Sequence, residues 1–134
     1  MTKEEKKDKK TKGRIIIIDD DEFLLDMYTV KFKEEGYDVE SMPGAVQALK
    51  KIKDGYDCEV VLVDIIMPTM DGFSFLEKIK EDKLLPDAKK IVLSNLGQQE
   101  EIEKALSLGA ADYIVKAYFT PSEVVKKVEG ILKK

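Results

Sequence analysis

Residues 60–72 read VVLVDIIMPTMDG. The first four are apolar and mostly β-branched, and a short run of that kind suits a strand buried on both faces. The run stops on a carboxylate, Asp64. A few residues later Asp71-Gly72 can start a helix, with Phe73, Leu76 and Ile79 at helical spacing on its inner side. The stretch is therefore a strand, a polar end and a helix: one β-α unit.

Working outward, the unit repeats. Ile15 to Ile18 is a second wholly apolar run, and it stops on Asp19, Asp20 and Asp21. Leu25, Tyr28 and Phe32 then mark a helix that Gly36 stops. Residues 37–41 alternate apolar and polar, as a half-exposed edge strand does. Ala45, Leu49 and Ile52 mark the next helix. Beyond residue 72, Ile91 to Leu93 is a strand ending on Ser94 and Asn95, followed by Ile102, Ala105 and Leu106 as helix markers. Tyr113 to Val115 ends on Lys116, and Thr120-Pro121-Ser122-Glu123 is a capping box with proline at the first helical position. Val124, Val128, Ile131 and Leu132 give the last helix its stripe. Five such units predict an α/β fold with a doubly wound, five-stranded parallel sheet and helices on both faces.

Composition sets the outer limits. The chain has 134 residues, 43% of them hydrophobic, enough for one packed domain. Its net charge of −4 argues against a generally basic nucleic-acid binder. With no histidine and one cysteine, Cys58, it has no histidine triad, disulfide framework or cysteine-based zinc site. No apolar run approaches a membrane span, and the first residues are too polar for a signal peptide. A soluble, cytoplasmic domain over residues 14–134 is expected, behind a charged, flexible tail over residues 1–13.

Parallel sheets of this kind bind ligands beyond the carboxyl ends of their strands. The polar residues that close the apolar runs fall at those ends: Asp19 and Asp20, Asp64, Ser94 and Lys116. Taken singly, an Asp after a strand is an ordinary helix cap, and Asp21 reads as one. Together they form a pattern. Clustered carboxylates call for a cation between them. A histidine-free carboxylate set suits a hard, oxygen-preferring ion such as Mg²⁺. A lysine and a hydroxyl beside it suit a phosphoryl group.

These residues resemble response regulator receiver domains, the phospho-accepting modules of two-component signalling, and in particular the single-domain, chemotaxis-regulator kind. The resemblance runs over about residues 14–134 and rests on IIIIDDDEFLL (15–25), VVLVDIIMPTMDG (60–72), IVLSN (91–95) and GAADYIVK (109–116). It implies a flavodoxin-like strand order 2-1-3-4-5. It implies Asp64 as the phospho-acceptor, taking its phosphoryl group from the phosphohistidine of a sensor histidine kinase or a phosphotransfer protein. It implies Mg²⁺ held by Asp20 directly, by Asp19 largely through water, by Asp64 and by the backbone carbonyl of Ile66. Lys116 matches the lysine that pairs with the acceptor, Ser94 the switch hydroxyl and Tyr113 the aromatic switch. Output would pass to a downstream protein through the face formed by the fourth helix, fifth strand and fifth helix, from a monomer or a phosphorylation-dependent dimer. Phosphoryl transfer and slow dephosphorylation would be self-catalysed. The chain ends about where its fifth helix must end, so no separate output domain, enzymatic or DNA-binding, is expected.

Two departures stand out. The family usually has proline after the lysine, often with a cis bond; here it is Ala117, and the stretch to Thr120 is one residue longer. A cis bond before a non-proline residue is costly, so a trans bond is expected. The residue after the switch hydroxyl is usually small, and here it is Asn95. Two other readings compete with this one. A pseudo-receiver would use the same fold as an interaction module without phosphorylation; the intact set of Asp19, Asp20, Asp64, Ser94 and Lys116 opposes it. A haloacid-dehalogenase-type phosphatase would need Asp-x-Asp-x-Thr or Val, which Asp19-Asp20-Asp21-Glu22-Phe23 does not supply.

Overall fold

The structure is a computed structural model that describes residues 11–133. Its strands are β1 (Arg14–Ile18), β2 (Asp38–Met42), β3 (Val60–Val63), β4 (Lys89–Ser94) and β5 (Asp112–Val115). Its helices are α1 (Glu22–Glu34), α2 (Ala45–Lys53), α3 (Gly72–Glu81), α4 (Gln99–Ser107) and α5 (Pro121–Leu132), with a 3₁₀ turn over Lys116–Tyr118. The strands pair in parallel in the order β2-β1-β3-β4-β5. This is the doubly wound, flavodoxin-like order expected from the sequence.

The isoleucine run shows why the sheet has two covered faces. Ile15 and Ile17 pack with Tyr28, Phe32, Val124 and Val128, so α1 and α5 cover one face. Ile16 and Ile18 pack with Ala48, Leu49, Phe75 and Ile79, so α2 and α3 cover the other. All four isoleucines are buried, and each contributes about 1.5–3 kcal/mol of apolar burial. β2, at one edge, has no fully buried residue, as its alternating sequence predicts. On α4 only Ala105 is buried. Leu106, read as an inward marker, is exposed: it lies about 100° around the helix from Ala105, which already meets the core.

Helix ends follow the local chemistry. Asp21, Asp71 and Thr120 are N-caps, each accepting from a backbone N–H three residues on. Gly36 closes α1 with φ 101°, a conformation that excludes a Cβ at little cost only for glycine. Residues 1–10 of the expected tail lie outside the described residues. Lys12 and Gly13 are bound to the domain: the Lys12 N–H donates to Gly36 O at 2.8 Å, and Gly13 O accepts from the Asp38 N–H at 3.0 Å. Among the described residues no helix is long and apolar enough to cross a membrane, and no peptide bond is cis. The bond between Lys116 and Ala117 is trans, and the 3₁₀ turn makes the bend there.

Candidate functional site

Strand order and register bring the acids together. Strand order reverses between β1 and β3, which opens a crevice beyond their carboxyl ends. Ile18 pairs with Val63, so the next residues, Asp19 and Asp64, emerge side by side into that crevice. Carboxylate oxygens of Asp19, Asp20 and Asp64 lie within 4.8 Å of one another. β4 delivers Ser94 and β5 leads into Lys116 along the same edge. A cavity of about 480 Å³ is lined by Asp20, Asp64, Ser94 and Lys116, with Ile66 and Leu96 on its walls.

Among the described residues, the buried polar ones are Asp19, Asp64, Ser94 and Lys116, whereas Asp20 is exposed. The Lys116 ammonium donates to Asp19 Oδ2 at 2.7 Å and to Asp64 Oδ2 at 2.9 Å. The other oxygen of Asp64 accepts from the Ile65 N–H at 2.6 Å, and Asp19 Oδ1 accepts from the Asp21 N–H at 3.0 Å. No buried side-chain polar atom among the described residues lacks a partner. Burial pushes the Asp19 carboxyl above its usual range, against the pull of Lys116. Burial works to lower the Lys116 ammonium, yet the two carboxylates outweigh it and raise it above the ordinary lysine value. Lys116 therefore stays charged at neutral pH and supplies the cation that clustered carboxylates require.

A model of the response regulator receiver domain matches residues 15–129. The chain belongs to that family. The receiver domain is 37% identical to the chemotaxis protein CheY of Treponema pallidum over 125 residues, covering 90% of this chain and 83% of that protein. It is 30% identical to the response regulator SaeR of Staphylococcus aureus, covering 88% of this chain but 50% of that protein, so it spans half of SaeR's length. Among solved structures it is similar to a CheY-like receiver domain from Methanospirillum hungatei, with TM-score 0.80, 33% identity and coverage of 90% of this chain and 93% of that one. It also resembles the BeF3-activated DrrB receiver domain, with TM-score 0.77, 27% identity and coverage of 90% and 97%.

In this receiver domain the two residues read as switch elements are joined through a third, Leu96. The Tyr113 hydroxyl donates to the Leu96 carbonyl, and the Leu96 N–H donates to Ser94 Oγ at 3.3 Å. Burial raises the Tyr113 phenol above its ordinary value, consistent with a neutral donor. A second residue of consequence was read only as a helix start. A Cβ on Gly72 would collide with the Asp64 carbonyl oxygen and lie 2.9 Å from Ile65 Cα. The missing side chain lets the first turn of α3 rest on the backbone that carries Asp64, and the Gly72 N–H donates to Ile65 O at 2.8 Å. The Asp-Gly pair was the available signal; the close approach was not visible in it.

Proposed function

We propose that this receiver domain accepts a phosphoryl group on Asp64 from the phosphohistidine of a sensor kinase or phosphotransfer protein in the cytoplasm. The observation that carries the reading is the buried Lys116 ammonium shared between Asp64 and Asp19 at the switch point of the sheet. A divalent cation fits the donor set: three carboxylates within 4.8 Å of one another, with no nitrogen or sulfur donor in the group. Asp19, Asp20, Asp64 and the Ile66 carbonyl would hold Mg²⁺. Bound there, it supplies charge that offsets the negative oxygens of the transferring group.

The chain's own groups do the rest. A carboxylate oxygen of Asp64 attacks phosphorus in line, the O–P bond forms, and the P–N bond to the donor imidazole breaks. Lys116 places positive charge beside the attacking oxygen. Ser94 Oγ accepts from Leu96, and its own proton can donate to a phosphoryl oxygen. Drawing Ser94 toward that oxygen moves Leu96, and with it the acceptor that Tyr113 holds. Phosphorylation thereby biases a two-state equilibrium of the face formed by α4, β5 and α5, which engages a downstream protein.

The test is intact mass after incubation with acetyl phosphate and Mg²⁺, on wild type and Asp64→Asn. A phosphoryl adduct lost in the variant supports the reading. No adduct in wild type overturns it in favour of a pseudo-receiver that acts by contact alone.

A further inference from the structure

A second cavity, of about 440 Å³, lies between α3 and α4 near the amino end of β4. This is the edge of the sheet opposite the acidic site. Its volume falls in the range of small-ligand sites. The floor is apolar: Leu76 and Ile79 are buried, and Leu84 and Leu108 are half-buried around it. Three lysines, Lys80, Lys83 and Lys90, line the same cavity, and no carboxylate does.

None of these lysines forms an ion pair among the described residues. Lys90 donates to the Leu85 carbonyl and Lys80 to the Ser107 carbonyl at 3.3 Å. Asp82, next to Lys83 in sequence, is committed to Lys53 at 3.7 Å. Lys90 is half-buried, and that burial lowers its ammonium below the ordinary lysine value. Asp87 acts on it only through longer-range attraction, with no hydrogen bond or ion pair. A partly desolvated ammonium with no carboxylate in contact with it, over an apolar floor, is stabilised by an anion that can approach it. Lys83, which lines the cavity, has φ 53°, in the left-handed region that non-glycine residues rarely adopt.

We propose that this cavity binds a small amphipathic carboxylate, its aliphatic chain on Leu76, Ile79, Leu84 and Leu108 and its head group among Lys80, Lys83 and Lys90. The compact cavity suits a small molecule, and three unpaired ammonium groups select an anion over a neutral lipid. The site is separate from the acidic crevice and does not depend on the function proposed for it.

The test is an amide NMR titration of the full chain with sodium decanoate, kept below its critical micelle concentration. Saturable shifts at Leu84, Lys90, Leu108 and Gly109 are expected. Decan-1-ol and acetate should each bind at least tenfold more weakly than decanoate. The Lys80→Glu/Lys83→Glu double variant, both positions being exposed, should fold as wild type by circular dichroism and bind decanoate at least tenfold more weakly. Equal binding of decanol removes the role of the lysines and overturns the proposal. So do shifts gathered instead at Met42 and Tyr56, which line a separate cavity beside α2, or no shifts at millimolar decanoate. Binding of a peptide of alternating Glu and Leu without binding of decanoate overturns it in favour of a protein partner.

Discussion

Lys116 sits closer to Asp19 than to Asp64, at 2.7 against 2.9 Å, and both contacts are buried. The lysine is thus a structural counter-ion for two strands as well as a partner of the acceptor. Removing one member of such a group leaves the others charged and unpaired. Breaking a buried pair costs about 3–5 kcal/mol. Lys116→Met should lower stability in urea by that order when no divalent ion is present. Mg²⁺ should then stabilise the variant more than it stabilises wild type, because two acids have lost their internal cation. Equal unfolding midpoints in EDTA would show that the bridge contributes little.

Metal binding should be visible in wild type as well. An ion that binds the folded state alone stabilises it by about 2.7 kcal/mol at one hundred times its Kd. Millimolar Mg²⁺ is expected to raise the melting temperature, and Asp20→Asn to remove most of that rise. Asp20 is the exposed member of the three and lies outside the lysine bridge. An unchanged wild-type melting curve over a wide Mg²⁺ range counts against the site.

Much of this architecture was legible in the sequence for a simple reason. Ile15 to Ile18 and Val60 to Val63 have no polar residue, so only strands covered on both faces can accommodate them, and the residues that end them must then share an edge. That logic places Asp19, Asp64, Ser94 and Lys116 along one edge of the sheet. What escaped it depends on distances between segments far apart in the chain. The Lys116–Asp19 pair follows from the register of four strands, β1, β3, β4 and β5, and the link from Tyr113 through Leu96 to Ser94 from a loop conformation. Leu106 fits a helical spacing and still faces solvent, since periodicity does not say how wide the covered stripe is. Lys12, in a run with no apolar face, is held by a backbone bond that composition does not encode.

Gly72 yields a sharper prediction than its spacing alone did. Gly72→Ala would press a methyl group into the backbone of Asp64 and Ile65, with no flexible side chain in between to give way. Overpacking of this kind costs about 1–3 kcal/mol or more. Because the clash falls on the backbone that carries the acceptor, labelling by acetyl phosphate should slow as well. Chemical denaturation and intact mass on the same variant check both effects. Wild-type stability in Gly72→Ala would mean that α3 can shift away freely.

Cys58 should be inert in the native protein. Burial, with Asp57 and Glu59 nearby, pushes its thiol up to about 12, and the thiolate is the reactive form. At pH 8 iodoacetamide should label it only after unfolding. The sign for stability follows. An acid whose folded value is raised contributes nothing unfavourable below its unfolded value, near 9.0, and stability falls as pH rises from there toward 12. Tyr56 is shifted upward by burial too and acts in the same direction. Rapid native labelling at pH 8 would contradict the burial.

The lifetime of the phosphorylated form should be long. Ile66 and Leu96 both line the cavity over Asp64. Ile66 is 62% exposed at its mouth, and Leu96 is half-buried, its backbone tied to Ser94 and Tyr113. Neither side chain has a donor or acceptor to orient a water for in-line attack on an acyl phosphate. Positioning of the nucleophile is a large part of phosphoryl-transfer rates, so hydrolysis should be slow. Ile66→Asn/Leu96→Glu supplies an amide and a carboxylate at those positions and leaves the backbone contacts of Leu96 available. A tenfold faster decay would correspond to about 1.4 kcal/mol of barrier. The measurement is the loss of phosphorylated protein after the donor is removed, with Mg²⁺ present. Decay no faster in the double variant would assign the lifetime to the Asp64 environment itself, with Asn95 as the next side chain on the cavity wall to test.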